Sequence, residues 1–313
     1  MAIRTFAASA PGRAGIIGNP SDIYGGVVLS CSVPTRAFCR LTFGAEGSYP
    51  EDTRLWDAPL KRFPIREPVK VEWSTEIPRS SGISGSTALL ASTLACILAS
   101  RDEPPDLESA EGKVSFAELV RDIERNDAQV VCGYQDAYMI VHGGLQLMRF
   151  SGKHPTIPGP AASLTAIDAP LPFLLVTTGV ERLSGSVHGP MAQRWLNGER
   201  EVVDAMDQIK ALAEPGAAAL LDGNYAELGR LMDENHRLIA QLGGSGDSID
   251  ELISRCKSLG AVSAKLAGAG LGGTVIVLTE DPDRLVEGLR GFGYTRFIVP
   301  AKCKGVRMEE TSE

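Results

Sequence analysis

The sequence predicts an α+β chain of two unlike domains, and three observations carry that expectation. The chain has 313 residues, of which 43% are apolar and 22% charged, enough for a large core and long for one average domain. Its first third is rich in β-forming runs that give way to helices, and its second half follows the β-α-β-β-α-β order of a ferredoxin-like domain. Length alone also admits a single α/β barrel. Disorder, collagen and small disulfide scaffolds are excluded by composition.

In order along the chain, the runs Ile3–Ala8, Val27–Val33, Phe38–Phe43 and Val69–Trp73 read as strands between Gly/Pro turns. An alanine-rich helix is expected from about Ser86 to Ser100, ended by Pro104-Pro105. Phe116 to Arg125 places Phe116, Leu119, Val120 and Ile123 at helical spacing, a further helix is expected at Gln135–Val141, and a strand at Gly144–Phe150. Ser151 to Pro172 holds five prolines with little periodicity and is the best linker candidate, which puts the domains at 1–160 and 161–313. Beyond it come strand Phe173–Thr178, several helices, strands Val262–Leu266 and Thr274–Thr279, helix Pro282–Gly291 and strand Thr295–Val299. The stripe Leu228, Leu231, Met232, Leu238, Ile239 on the longest helix, Tyr225 to Leu242, reads as core packing. No internal repeat is found.

The formal charge is −8, from 31 Lys and Arg against 39 Asp and Glu, and no five like charges run together. Nucleic acid and membrane surfaces are therefore not expected partners, while an anionic small molecule held by backbone N–H groups stays open. Six cysteines without C-x-x-C spacing read as reduced thiols of a cytoplasmic protein. Neither a signal peptide nor a membrane span is expected. Composition says nothing of oligomeric state.

Three glycine-rich segments remain. In PRSSGISGSTALL, Pro78 to Leu90, two glycines and four serines lead into a helix, so that Ser81, Gly82, Ser84, Gly85, Ser86 and Thr87 suit an anion cradle at a helix N-terminus. Ser84 or Ser86 is equally readable as a simple N-cap. The segment lacks the lysine of a Walker A loop, so any cation for a phosphate must come from elsewhere. GAGLGG, Gly268 to Gly273, satisfies G-x-G-x-x-G, but a β run follows it where a dinucleotide fold needs a helix. A glycine hairpin explains it as well. In APGRAGIIGNPSDIYGG, Arg13 and Asp22 exceed what turn chemistry requires, although a surface ion pair would account for them.

Taken in order and at these separations, the three segments resemble the signature motifs of the GHMP kinases, the superfamily of galactokinase, homoserine kinase and mevalonate kinase. The resemblance covers nearly the whole chain. It implies an N-terminal domain like ribosomal protein S5 domain 2 and a ferredoxin-like C-terminal domain. GNPSDIYGG, PRSSGISGSTA and SGSVHGPMAQRWLNGE at 184–199 look like the versions of the glucuronokinases, sugar-1-kinases that act on D-glucuronate.

The resemblance also implies roles. Gly82, Ser84 and Gly85 would cover the triphosphate of ATP, with Ser86 and Glu124 holding Mg²⁺. Asp136 in GYQDAY would sit at the acceptor hydroxyl with Arg13 beside it, an arrangement suited to phosphoryl transfer, where positioning and charge neutralisation dominate. Without the resemblance, Glu124 and Asp136 read as solvated helix carboxylates. Asp22 matches a sugar-binding position, while Asn19 and Pro20 replace the Glu and His of galactokinases, which argues against galactose. An acceptor carboxylate calls for an arginine, for which Arg182, Arg194, Arg79 and His188 are candidates or else surface charges. Tyr24 suits stacking on a ring or core packing, and Gly270 lies in the third motif near the acceptor.

Overall fold

A computed structural model describes residues 3–180, 185–268, 270 and 273–311, with the backbone only at 185–188. Strands β1 (Arg4–Ile17) and β2 (Val27–Phe43) form one long antiparallel pair, joined through a single 3₁₀ turn at Ser21–Tyr24. The two strands expected at Val27–Val33 and Phe38–Phe43 are thus one element. Gly12 pairs with Val33 and Pro11 with Arg36, so the register shift leaves Pro34 and Thr35 as a bulge and the proline is never asked to donate to the ladder. The strand expected at Ile3–Ala8 likewise runs on to Ile17, which puts Arg13 inside the sheet.

Helix α1 (Arg54–Leu60), not anticipated, precedes β3 (Val69–Thr75), which pairs with β2. Helix α2 (Gly85–Ser100) lies on β1 and β2 and is buried around most of its circumference, which suits its small residues Ala88, Ala91 and Ala95. Helix α3 (Ala110–Asp122) begins before the expected Phe116 because Ser109 caps it, accepting the Gly112 N–H at 3.0 Å, and it continues as a π turn, Ile123–Asp127. Helix α4 (Gln135–His142) and β4 (Leu145–Arg149) follow as expected.

Strand β5 (Ser163–Ala166) falls within the expected linker and pairs with β4. After β6 (Phe173–Thr177) come five helices, α5 (Gly185–Leu196), α6 (Arg200–Lys210), α7 (Ala213–Leu221), α8 (Tyr225–Gln241) and α9 (Asp247–Ser258). Then β7 (Ser263–Leu266), β8 (Thr274–Leu278), α10 (Pro282–Gly291), a two-residue β9 (Phe297–Ile298) and β10 (Arg307–Met308) complete the order.

The second sheet runs β7-β8-β6-β9, antiparallel throughout, as the ferredoxin-like order requires. The first runs β10-β1-β2-β4-β5, with β3 also on β2. A division at 160/161 therefore does not coincide with the sheets, since β5 and the C-terminal β10 both complete the first one. Each covers a sheet edge that would otherwise leave N–H and C=O groups unpaired. All six cysteines are free thiols. Among the described residues no helix is long and apolar enough to cross a membrane.

Candidate active site

The fold draws the three glycine segments into mutual contact. A Cβ at Gly268 would lie 2.4 Å from the Gly82 carbonyl oxygen, and one at Gly273, where φ is +92°, would lie 2.6 Å from that of Ser81. The third motif thus presses on the second with backbone against backbone, which only glycine allows. The connection is a β7-β8 hairpin loop with no helix after it, as the sequence context required. Gly268→Ala is expected to destabilise the protein by about 1–3 kcal/mol, the range for overpacking. Urea unfolding measures this, and an unchanged midpoint would show that the loops do not meet.

One guanidinium ties the segments together. Arg13 Nε donates to Asp136 Oδ1 at 2.7 Å, with Nη2 2.6 Å from the same oxygen, while Nη1 donates to the carbonyls of Gly82 at 2.9 Å and Ala267 at 3.2 Å. The Arg13 side chain is 5% exposed and that of Asp136 is 19% exposed, so the carboxylate opens outward from a buried cation. The surface ion pair that Arg13 and Asp22 allowed is not what forms.

At the mouth of α2, Ser84 occupies the N-cap position in left-handed conformation, φ 66° and ψ 37°. Its hydroxyl makes no cap hydrogen bond and is buried with no hydrogen-bond partner among the described residues, so the simple N-cap reading of Ser84 fails. The first-turn N–H groups of any helix lack intrahelical acceptors, and together with this hydroxyl they are donors of the kind that could hold an anion. At Gly82, φ +75°, a Cβ would meet nothing within 4 Å among the described residues. Ser81 braces the loop, its hydroxyl donating to the Pro78 carbonyl at 2.7 Å.

Glu124 reaches this mouth from the π turn. Its carboxylate accepts the Thr87 hydroxyl, at 2.8 and 3.1 Å to its two oxygens, and the Cys132 thiol. The side-chain pair in contact is therefore Thr87 and Glu124, whereas Ser86, expected as the metal ligand beside Glu124, lies exposed next to it. Helical geometry explains this: Thr87 is in step with the buried stripe Leu90, Ala91, Leu94, and Ser86 is turned off it. Burial and the neighbouring Asp136 push the Glu124 carboxyl up to about 7. A buried carboxylate held against its own ionisation suits a cation. Among the described residues no three or more His, Cys, Asp or Glu side chains gather into a metal cluster. A Mg²⁺ at Glu124 with Thr87 or Ser86 would complete its shell from phosphate and water oxygens, which is this ion's habit.

The expected acceptor residues fare differently. Asp22 is fully buried and accepts the backbone N–H groups of Tyr134, at 2.5 Å, and Gln135, at 3.0 Å. Its carboxylate thus anchors the N-terminus of α4, the helix that carries Asp136. Asn19 is also fully buried and bonded within the protein. Tyr24 is buried with its ring 5.2 Å from that of the half-buried Trp195, so core packing is what it does. Gly270 approaches the turn after α8, where its Cβ would lie 1.8 Å from the Gly244 carbonyl oxygen. Arg194 is occupied by Glu199 at 2.8 Å and Glu201 at 3.3 Å and by the Leu242 carbonyl. Arg194→Ala is accordingly expected to change stability by less than about 1 kcal/mol and leave substrate binding unaltered, as calorimetry would show. Arg79 is exposed. Arg182 and the His188 side chain lie outside the described residues.

Sequence reasoning missed Lys265, whose ammonium is fully buried in β7. A lone lysine between apolar neighbours carries no signal that tells a buried amine from an edge charge.

Comparison with known proteins agrees with this geometry. The family described as GHMP kinases N terminal domain matches residues 53–144, and GHMP kinases C terminal matches 199–295. A probable glucuronokinase 2 from Arabidopsis thaliana is 30% identical over 77% of this chain and 66% of its own length. A mevalonate kinase from Saccharolobus solfataricus is 28% identical over 70% of this chain and 65% of its own. The chain spans just under two thirds of either relative. The galactokinase of Lactococcus lactis, solved with galactose, superimposes with a TM-score of 0.75 at 17% identity over 97% of this chain and 95% of that one.

Proposed function

Because the chain belongs to the GHMP kinases, we propose that it transfers the γ-phosphoryl group of ATP to a hydroxyl of a small sugar or sugar acid, with D-glucuronate at its anomeric 1-hydroxyl as the leading acceptor. The observation that carries the reading is the fork of Arg13, which joins the carboxylate of Asp136 to the backbone of both phosphate-facing loops. The glucuronate assignment is supported by the 30% identity to a probable glucuronokinase and by the wording of the first two motifs.

In this reading the N–H groups at the start of α2 and the Ser84 hydroxyl hold phosphate oxygens. Gly82 leaves room for the chain of phosphates to approach, while Gly85 packs its backbone against Ile77. Asp136 lies where an acceptor O–H would point, takes its proton as the oxygen bonds to the γ-phosphorus, and the bond to the β-phosphate oxygen breaks to release ADP. Arg13 holds the Asp136 carboxylate in place and, as a fixed positive charge beside it, stabilises negative charge that develops there during the step. Mg²⁺, when bound at Glu124 and the hydroxyl beside it, neutralises phosphate charge.

A coupled ADP-release assay over glucuronate, galacturonate, galactose, heptose phosphates, homoserine and mevalonate tests the proposal. Turnover of a uronate supports it. Turnover of another acceptor only would overturn the substrate and keep the kinase. Nucleotide binding with no turnover of any acceptor would favour a silent binding protein on this fold.

A further inference from the structure

Lys265 Nζ is fully buried in the core, and the acceptors it meets among the described residues are both neutral: Asn19 Oδ1 at 2.7 Å and the Leu266 carbonyl at 2.8 Å. Asn19 passes the constraint on. Its Nδ2 donates to the Gly268 carbonyl at 3.1 Å, and its own carbonyl accepts from Asn235 Nδ2 at 3.1 Å, while Asn235 Oδ1 accepts the Gly18 N–H at 2.9 Å. The residue before Gly268 is Ala267, whose carbonyl accepts both the Gly15 N–H at 3.0 Å and Arg13 Nη1. Two consecutive carbonyls, one just before the third motif and one at its first residue, are thus gripped from the first motif, the former by the arginine and the latter by Asn19.

We propose that Lys265 is a positioning residue for phosphoryl transfer: by fixing the Asn19 amide it sets the Ala267–Gly268 backbone, and through it the guanidinium of Arg13 and the loop at Gly82. The amide of Asn19 has one orientation that satisfies the clasp: the Gly268 carbonyl can only accept, which places Nδ2 toward it, and Oδ1 then receives the N–H that Lys265 donates. Burial, aided by the nearby Arg13, pushes the Lys265 ammonium down to about 7. Holding an amine there works against stability, as expected of a group retained for placement. The proposal rests on the phosphotransfer reading above.

Lys265→Met and Asn19→Asp test it. Asp at position 19 still accepts from Lys265 but has no N–H for Gly268, so it breaks the clasp at its second link without removing the lysine. Both variants, assayed well below their melting temperatures, are expected to lose about 10- to 100-fold in kcat, with KM for nucleotide and acceptor within about threefold of wild type. The Gly15 amide, bonded to Ala267, should exchange its hydrogen faster in both. A folded variant with unchanged kcat, or one whose loss lies wholly in KM, overturns the proposal. Should Lys265→Met not fold, Asn19→Asp decides alone. If wild type turns over no acceptor at all, the phosphotransfer reading falls by itself. The Gly15 exchange then judges the clasp, with an unchanged rate in the variants counting against it.

Discussion

Asp136→Asn is expected to lower turnover by about 10²–10⁴-fold, the usual contribution of a positioned general base, while nucleotide affinity stays within about threefold. Asparagine is nearly isosteric and keeps an acceptor oxygen for the Arg13 fork, so the loops gathered by Arg13 at Gly82 and Ala267 should hold. What disappears is the ability to receive a proton. Measuring kcat, nucleotide affinity by calorimetry and melting temperature on one preparation separates these effects. A variant that turns over like wild type would exclude Asp136 as an essential base.

Glu124→Gln should produce an enzyme that is more stable and less active. The Glu124 carboxyl ionises near 7 in the folded protein against an ordinary 4.5, because burial and Asp136 oppose its charge. Between those values an unfolded chain has released this proton and the folded protein still holds it. Stability therefore falls as pH rises from 4.5 to about 7 and is level above that. The cost is on the order of 3 kcal/mol, from about 1.4 kcal/mol for each tenfold change in proton affinity. Glutamine carries no charge, so the variant should escape this decline and be the more stable protein at pH 8. It should also lose the melting-temperature increase that Mg²⁺ with nucleotide gives the wild type, along with about 10²-fold or more in turnover. A variant no more stable at pH 8, or one that still responds to Mg²⁺ as wild type does, would remove Glu124 from the cation site.

Much of the candidate site was legible because glycine-rich loops before a helix leave local traces. Glycines before a helix, and the absence of a Walker lysine, are read in one pass, and Arg13, Asp136 and Glu124 came from spacing compared with a family. The reading of contacts was less complete. Thr87 and Ser86 are neighbours in sequence, and only the facing of α2 decides which hydroxyl meets Glu124. Asp22 and Asn19 were expected at the acceptor because they align with the sugar-binding positions of galactokinase-like enzymes. In the fold both are buried, one anchoring α4 and the other clasping the third motif. Arg194 looked free for a carboxylate until Glu199 and Glu201 occupied it.

By itself the sequence determined the element types of both halves, the ferredoxin-like order of the second and the three loops that surround the site. These follow from hydrophobic period, glycine and proline, which act within a few residues. Tertiary structure alone decided that β5 and β10 complete the first sheet, that one arginine spans three motifs, and that a buried lysine orients Asn19. Those outcomes depend on edges, cavities and unpaired donors that exist only once distant segments have packed, so no short stretch of sequence carries them.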